Sequence, residues 1–162
     1  MKRQTYSGTT GYRKFSTVVS VDPGKATGVA MYRAGDTPSD HPYIRTETID
    51  DWRTVPFTVM MMDPDLVHVE EFRVTTATAK KTAAPWSLKC FGAIEALCHQ
   101  RDTKFMSSPS ANKDIVTDDM LKSACLWAGK TAHERDALRH LVLVLAKMND
   151  PWAYAMLRGG GS

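Results

Sequence analysis

Thr17-Val18-Val19-Ser20-Val21-Asp22-Pro23-Gly24-Lys25-Ala26-Thr27-Gly28-Val29-Ala30-Met31-Tyr32 is the stretch on which the fold turns. Two β-branched, apolar runs flank a Pro-Gly turn, so Thr17–Val21 and Thr27–Tyr32 read as strands of an antiparallel hairpin. Asp22 then sits at the rim where the first strand ends. The glycine two residues on leaves the backbone free to approach a phosphate.

Working outward, Tyr43–Ile49 alternates as a third strand, and residues 50–62 read as a Thr-rich helix interrupted by Pro56. Residues 65–72 carry Leu66, Val67 and Val69 after Asp-Pro-Asp, which predicts a buried strand with Glu70 near its far end. Pro85–His99 has helix signals and a broad apolar surface from Trp86, Leu88, Phe91, Ile94 and Leu97. Gly92 and Ala93 on that helix allow close approach of a second subunit, so a homodimer through it is expected. Lys104–Met106 makes a short fifth strand, residues 117–127 a helix opened by Thr117, and residues 132–148 a last helix. Its buried stripe is Leu138, Leu141, Val142, Leu145 and Met148. The order predicts an α/β fold, a five-stranded mixed sheet flanked by helices.

With 162 residues and 43% hydrophobic content, the chain fits one domain with a genuine core. That domain is expected over residues 16–157, after a basic arm at 1–15 bearing Lys2, Arg3, Arg13 and Lys14, and before a Gly-rich tail at 158–162. No apolar run is long enough to span a membrane and no signal segment opens the chain, which points to a cytoplasmic protein. Cys90, Cys98 and Cys125 are odd in number and lack paired spacing, so they read as reduced thiols rather than a zinc site. Net charge is only +3, yet Arg73, Lys80, Lys81 and Lys89 fall between Phe72 and Ile94 with no acid among them. Such a segment suits a phosphate backbone.

Three acidic positions lie far apart in the chain: Asp22, Glu70 and Asp136, the last three residues after His133 on one helix face. Each alone has an ordinary explanation: a turn aspartate, a strand ending in solvent, an acid stabilising a helix N-terminus. An acid on a central strand costs several kcal/mol if buried without a partner, and a metal would be such a partner. Together the three suit hard Mg²⁺ or Mn²⁺, which prefer oxygen ligands.

In Val21-Asp22-Pro23-Gly24 with Thr27-Gly28, Val69-Glu70, and His133-Glu134-Arg135-Asp136-Ala137-Leu138, the chain resembles RuvC-type Holliday-junction resolvases of the ribonuclease H-like superfamily, particularly small phage-encoded ones. The resemblance implies a ribonuclease H-like fold and a homodimeric endonuclease that cuts four-way DNA junctions by paired nicks, leaving 5′-phosphate and 3′-hydroxyl ends. It implies two Mg²⁺ or Mn²⁺ ions per site held by Asp22, Glu70, His133 and Asp136, and work in a bacterial host cytoplasm if the gene is a phage's. Pro109-Ser110-Ala111-Asn112-Lys113 resembles the family's Pro-x-x-x-Lys segment, making Lys113 a phosphate contact. The family's second lysine has no assignable match, with Lys122 and Lys130 both open. Phe72, Arg73, Lys80, Lys81 and Lys89 are the remaining DNA-binding candidates, Phe72 as a wedge at the junction or as core. The same carboxylates would equally serve a broader branched-DNA or RNA–DNA hybrid nuclease, and a non-catalytic junction-binding module is the rival from outside enzymology.

Overall fold

β1 (Thr17–Asp22) and β2 (Thr27–Arg33) form the expected antiparallel hairpin, with Asp22 opposite Gly28. The computed structural model describes residues 15–37, 40–71, 86–128 and 130–159. β3 (Tyr43–Ile49) pairs antiparallel with β2, while β4 (Leu66–Glu71) runs parallel to β1 and β5 (Lys104–Pro109) parallel to β4. The strand order β3-β2-β1-β4-β5 makes a mixed sheet.

Strand alternation sends every second side chain to one face and sorts the core into two layers. Val18, Ala30, Tyr32 and Leu66 meet Leu138, Leu141 and Leu145 of α4 (Ala132–Lys147) on one face. Val19, Val21, Val29, Val67 and Val69 meet Val55 and Val59 of α1 (Val55–Met61) and Cys90, Ile94 and Cys98 of α2 (Trp86–Gln100) on the other. Asp22 and Glu70 share the parity of Val18 and Leu66, so the sheet aims both at the α4 side.

The sequence over-extended two helices. The one expected over 50–62 begins only at Val55, because Pro56 lies in its first turn, where a missing N–H costs nothing. The one expected over 117–127 is the short α3 (Asp118–Ser123), capped by the Thr117 hydroxyl and stopped before Cys125, whose φ is +57°. β5 is longer than expected and carries the chain to Pro109, from which a 3₁₀ turn (Ser110–Ile115) delivers Lys113.

An unexpected helix, α5 (Pro151–Leu157), follows Asn149 at φ +62°. Asp150 caps it and also accepts a 2.7 Å hydrogen bond from the buried Tyr32 hydroxyl, tying the C-terminal helix to β2. Residues 1–14 of the basic arm expected at 1–15, and Phe72 at the expected end of β4, lie outside the described residues. Among the described residues no helix is long and apolar enough to cross a membrane.

Candidate active site

Asp22 ends β1 and Glu70 is the penultimate residue of the adjacent parallel β4, each one residue beyond the Val21–Val69 pair of the ladder. The first turn of α4 is brought against them by Gly28. A Cβ at Gly28 would lie 2.0 Å from the His133 carbonyl oxygen, so only glycine lets the helix backbone touch β2 there. The Thr131 hydroxyl caps that turn by accepting the Glu134 amide, and Glu134 is fixed by the hydroxyls of Thr46 and Thr48 at 2.7 and 3.0 Å. His133 Nδ1 consequently lies 3.1 Å from Asp22 Oδ2.

One helical turn separates the next two contacts. Asp136 Oδ2 accepts a 2.8 Å bond from Lys113 Nζ, which is also 4.0 Å from Glu70 Oε2. Arg139 donates to Asp136, to Asp118 and to the Val116 carbonyl, joining α4 to the segment that carries Lys113. His140 Nε2 lies 2.7 Å from Glu70 Oε2; an ionised carboxylate only accepts, so the imidazole holds its proton on Nε2. Behind it the buried His68 ring sits 5.4 Å away, with Ser20 and Ser108 hydroxyls at its two nitrogens.

These neighbours divide the carboxylates by charge. Burial, helped by Glu70 and Asp136 and opposed by His133, raises Asp22 from 3.8 to about 6. Burial also works against the ionised Glu70, but the His140 hydrogen bond, its charge and Lys113 outweigh it and hold Glu70 low. Asp136 is likewise held low against burial by Lys113 and Arg139. Asp22 is thus the one of the three whose carboxyl is raised, while Glu70 and Asp136 are lowered. Lys113 is in turn held above its ordinary value, its burial outweighed by the three acids.

The donor chemistry fits a hard divalent cation: three acidic groups from β1, β4 and α4 converge, and burial with the acidic neighbours raises the carboxyl of one of them, Asp22, to about 6. Among the described residues, however, no three His, Cys, Asp or Glu side chains are drawn close enough to form a finished cage. The ammonium of Lys113 supplies the positive charge between Asp136 and Glu70 in this arrangement.

The sequence-derived site residues separate into three groups. Asp22, Glu70, His133, Asp136 and Lys113 come together. His133 and Asp136, expected to face one ion jointly, instead contact different partners, Asp22 and Lys113. Lys89 stands on the other face of the sheet, over the Trp52 and Trp86 rings. Phe72, Arg73, Lys80 and Lys81 lie outside the described residues. Sequence reasoning passed over His140, His68 and Arg139. The available signal was a polar residue interrupting an apolar face: His68 among Leu66, Val67 and Val69, and His140 between Leu138 and Leu141.

Sheet order, strand directions and the helix laid across the acidic strand ends define a ribonuclease H-like α/β protein, the fold of RuvC-type resolvases. The chain aligns with the Thermus thermophilus RuvC structure at a TM-score of 0.58 and 14% identity, over 83% of this chain and 97% of the other. T. thermophilus RuvC in complex with a Holliday junction substrate gives 0.58 and 16% over the same shares. The fowlpox virus Holliday junction resolvase gives 0.58 and 17% over 82% and 99%. At these identities the likeness is one of fold. No protein-family model and no curated protein matches the sequence.

Proposed function

We propose that this protein is a metal-dependent, structure-selective DNA endonuclease that resolves four-way junctions. The observation that carries the reading is the convergence of Asp22, Glu70 and Asp136 beside Lys113, on a fold shared with a RuvC bound to a Holliday junction substrate. Cleaving a phosphodiester requires anionic oxygens to approach an anionic phosphate, which carboxylates alone would oppose.

Asp22, Glu70 and Asp136, with His133 assisting, would hold Mg²⁺ or Mn²⁺. When bound, such ions acidify a water and stabilise charge on the departing 3′ oxygen, so the products are a 5′-phosphate and a 3′-hydroxyl. The protein's own contribution is placement. His140 keeps the Glu70 carboxylate ionised and turned towards Asp22, Arg139 fixes Asp136, and Gly28 seats the helix that carries His133 and Asp136. Lys113 Nζ is free to leave Asp136 for a non-bridging phosphate oxygen, a shift of partner that needs no backbone movement.

Paired nicks need two sites. A homodimer through α2 would supply them by two-fold symmetry, and its exposed Leu88 and Gly92 suit that contact. Work in the cytoplasm fits three cysteines without disulfides.

The test is cleavage of a labelled four-way junction beside linear duplex, flap and RNA–DNA hybrid, with Mg²⁺ or Mn²⁺, by the parent and Asp22→Asn. Ligatable paired nicks confined to the junction and abolished by the substitution are expected. Equal cutting of flap or hybrid would widen the reading to a general branched-DNA or hybrid nuclease. Junction binding without cutting would replace it with a binding module.

A further inference from the structure

The carboxyl end of the sheet carries a second constellation, on the face away from the acids. Asp22 pairs with Gly28 and Thr27 with Ile49, so the chain leaves β3 at the same sheet end as Asp22 and reaches Trp52 three residues later. On α2, Ser87 donates a 2.7 Å hydrogen bond to the Pro23 carbonyl, which fixes the start of that helix against the turn that follows Asp22. Trp86 is its first residue. The Trp52 and Trp86 rings lie 6.0 Å apart at 37°.

Lys89 spans both, its Nζ 5.2 Å from the Trp86 ring centre and 5.9 Å from that of Trp52. Among the described residues it has no carboxylate partner. Arg53 also lies over Trp52, but its charge is engaged by Asp51 at 3.2 Å. The first turn of α2 contains no acid to compete for an anion. Both indoles are half-buried; Trp52 packs on the core below it, whereas Trp86 belongs to neither core cluster. The Trp52 Nε1 is buried without an acceptor among the described residues.

A pair of aromatic faces with an unneutralised cation across them is complementary to a ligand that is itself flat, aromatic and anionic. An unpaired nucleotide has those properties: a base stacks on indole whatever its identity, and its phosphate pairs with the ammonium. We propose that Trp52, Trp86 and Lys89 form a docking platform for an unpaired nucleotide of a DNA strand that passes the acidic site. The platform deepens the nuclease reading: it selects open or branched DNA by requiring a base that duplex stacking has released.

The test uses the full chain in EDTA with a short fluorescein-labelled oligothymidylate, so that the readout is binding alone. Trp86→Leu should weaken binding about tenfold, the loss of one stacked base, while Trp86→Phe retains most of the affinity. Lys89→Ala should weaken it severalfold and lower the salt slope by about 0.7, the loss of one phosphate contact to a single strand. Lys89 is exposed, so its replacement reads the platform even if Trp86→Leu fails to fold. Unchanged affinity and slope for Lys89→Ala, with no loss in a folded Trp86→Leu, would overturn the platform. So would a change from dimer to monomer in sedimentation with oligothymidylate affinity intact, which would assign the rings to a contact between copies. An uncut junction with Trp86-dependent binding would remove the nuclease reading alone; a cut junction with binding indifferent to all three substitutions would remove the platform alone.

Discussion

His140 Nε2 and Glu70 Oε2 are 2.7 Å apart, across 70 residues of sequence, with the histidine fully inside the protein and the glutamate at the site. The contact explains how an acid at the end of a central strand stays ionised, and why α4 contributes more than the acid and histidine of its first turns. Replacing His140 with Ala should lower junction cleavage about 10- to 100-fold, as losses of the residues behind metal ligands do. His140→Gln, which can still donate a hydrogen bond, should recover part of it. Metal-free junction affinity should not move in either variant, and gel-shift titration beside single-turnover cleavage checks the separation.

Asp22 predicts an exchange of stability for activity. Its pKa is raised from 3.8 to about 6, chiefly by burial. Between those values the folded chain holds a proton that the unfolded chain has released, so metal-free stability falls as pH rises through the window and stays lower above it. Asp22→Asn should therefore abolish cleavage yet raise the melting temperature at pH 7 in EDTA. Adding Mn²⁺ should raise the parent's melting temperature more than the variant's, because an ion bound only by the folded state stabilises it.

The buried His68 acts in the opposite direction. Burial, then the neighbouring His140 and Lys147, lower it from 6.5 to about 3. The unfolded chain takes up a proton below 6.5 that the folded one refuses, so its contribution is complete above 6.5 and is lost as pH falls towards 3. Denaturant melts at pH 7 and pH 5 should show a clear loss of stability on acidification in the Asp22→Asn background, where the opposing titration is gone. His68→Gln in that background should flatten the slope.

Gly28→Ala should be among the most damaging single-methyl additions. The new Cβ would meet the His133 carbonyl at 2.0 Å, and backbone cannot give way as a side-chain tip can. The first turn of α4 must lift from β2, taking His133 from Asp22 and Asp136 from Lys113. A loss of about 1–3 kcal/mol, the usual cost of overpacking, is expected by chemical denaturation. Cleavage should fall further than that loss predicts, because the helix that moves carries the site.

Much of the molecule is legible along the chain. The β-branched, apolar runs at 17–21 and 27–32, the alternation at 43–49 and the apolar stretch at 66–69 give the strands, and the 3.6-residue stripe of α4 gives the helix that covers them, because each pattern records whether an element is buried on both faces or on one. Asp22, Glu70, His133 and Asp136 stand out for the same reason: each is a charged or polar group at the end or first turns of an element otherwise committed to the core. The end of α4 was legible to within a residue, whereas that of α3 was not: Cys125 follows it at positive φ, which such a residue adopts only when the surrounding structure compels it.

The sequence by itself determined the order of elements, the two faces of the sheet and the acids at its rim, all of which depend on neighbours within a few residues. Only the tertiary structure decided that Glu70 is held by His140, that Asp136 faces Lys113 and Arg139 rather than sharing a partner with His133, and that Trp52 meets Trp86. The reason is physical: a hydrogen bond or a ring contact depends on a few ångströms of separation. Residues 23 to 70 positions apart come within that reach only when the strand ladder and the helix packed on it have fixed where each backbone lies.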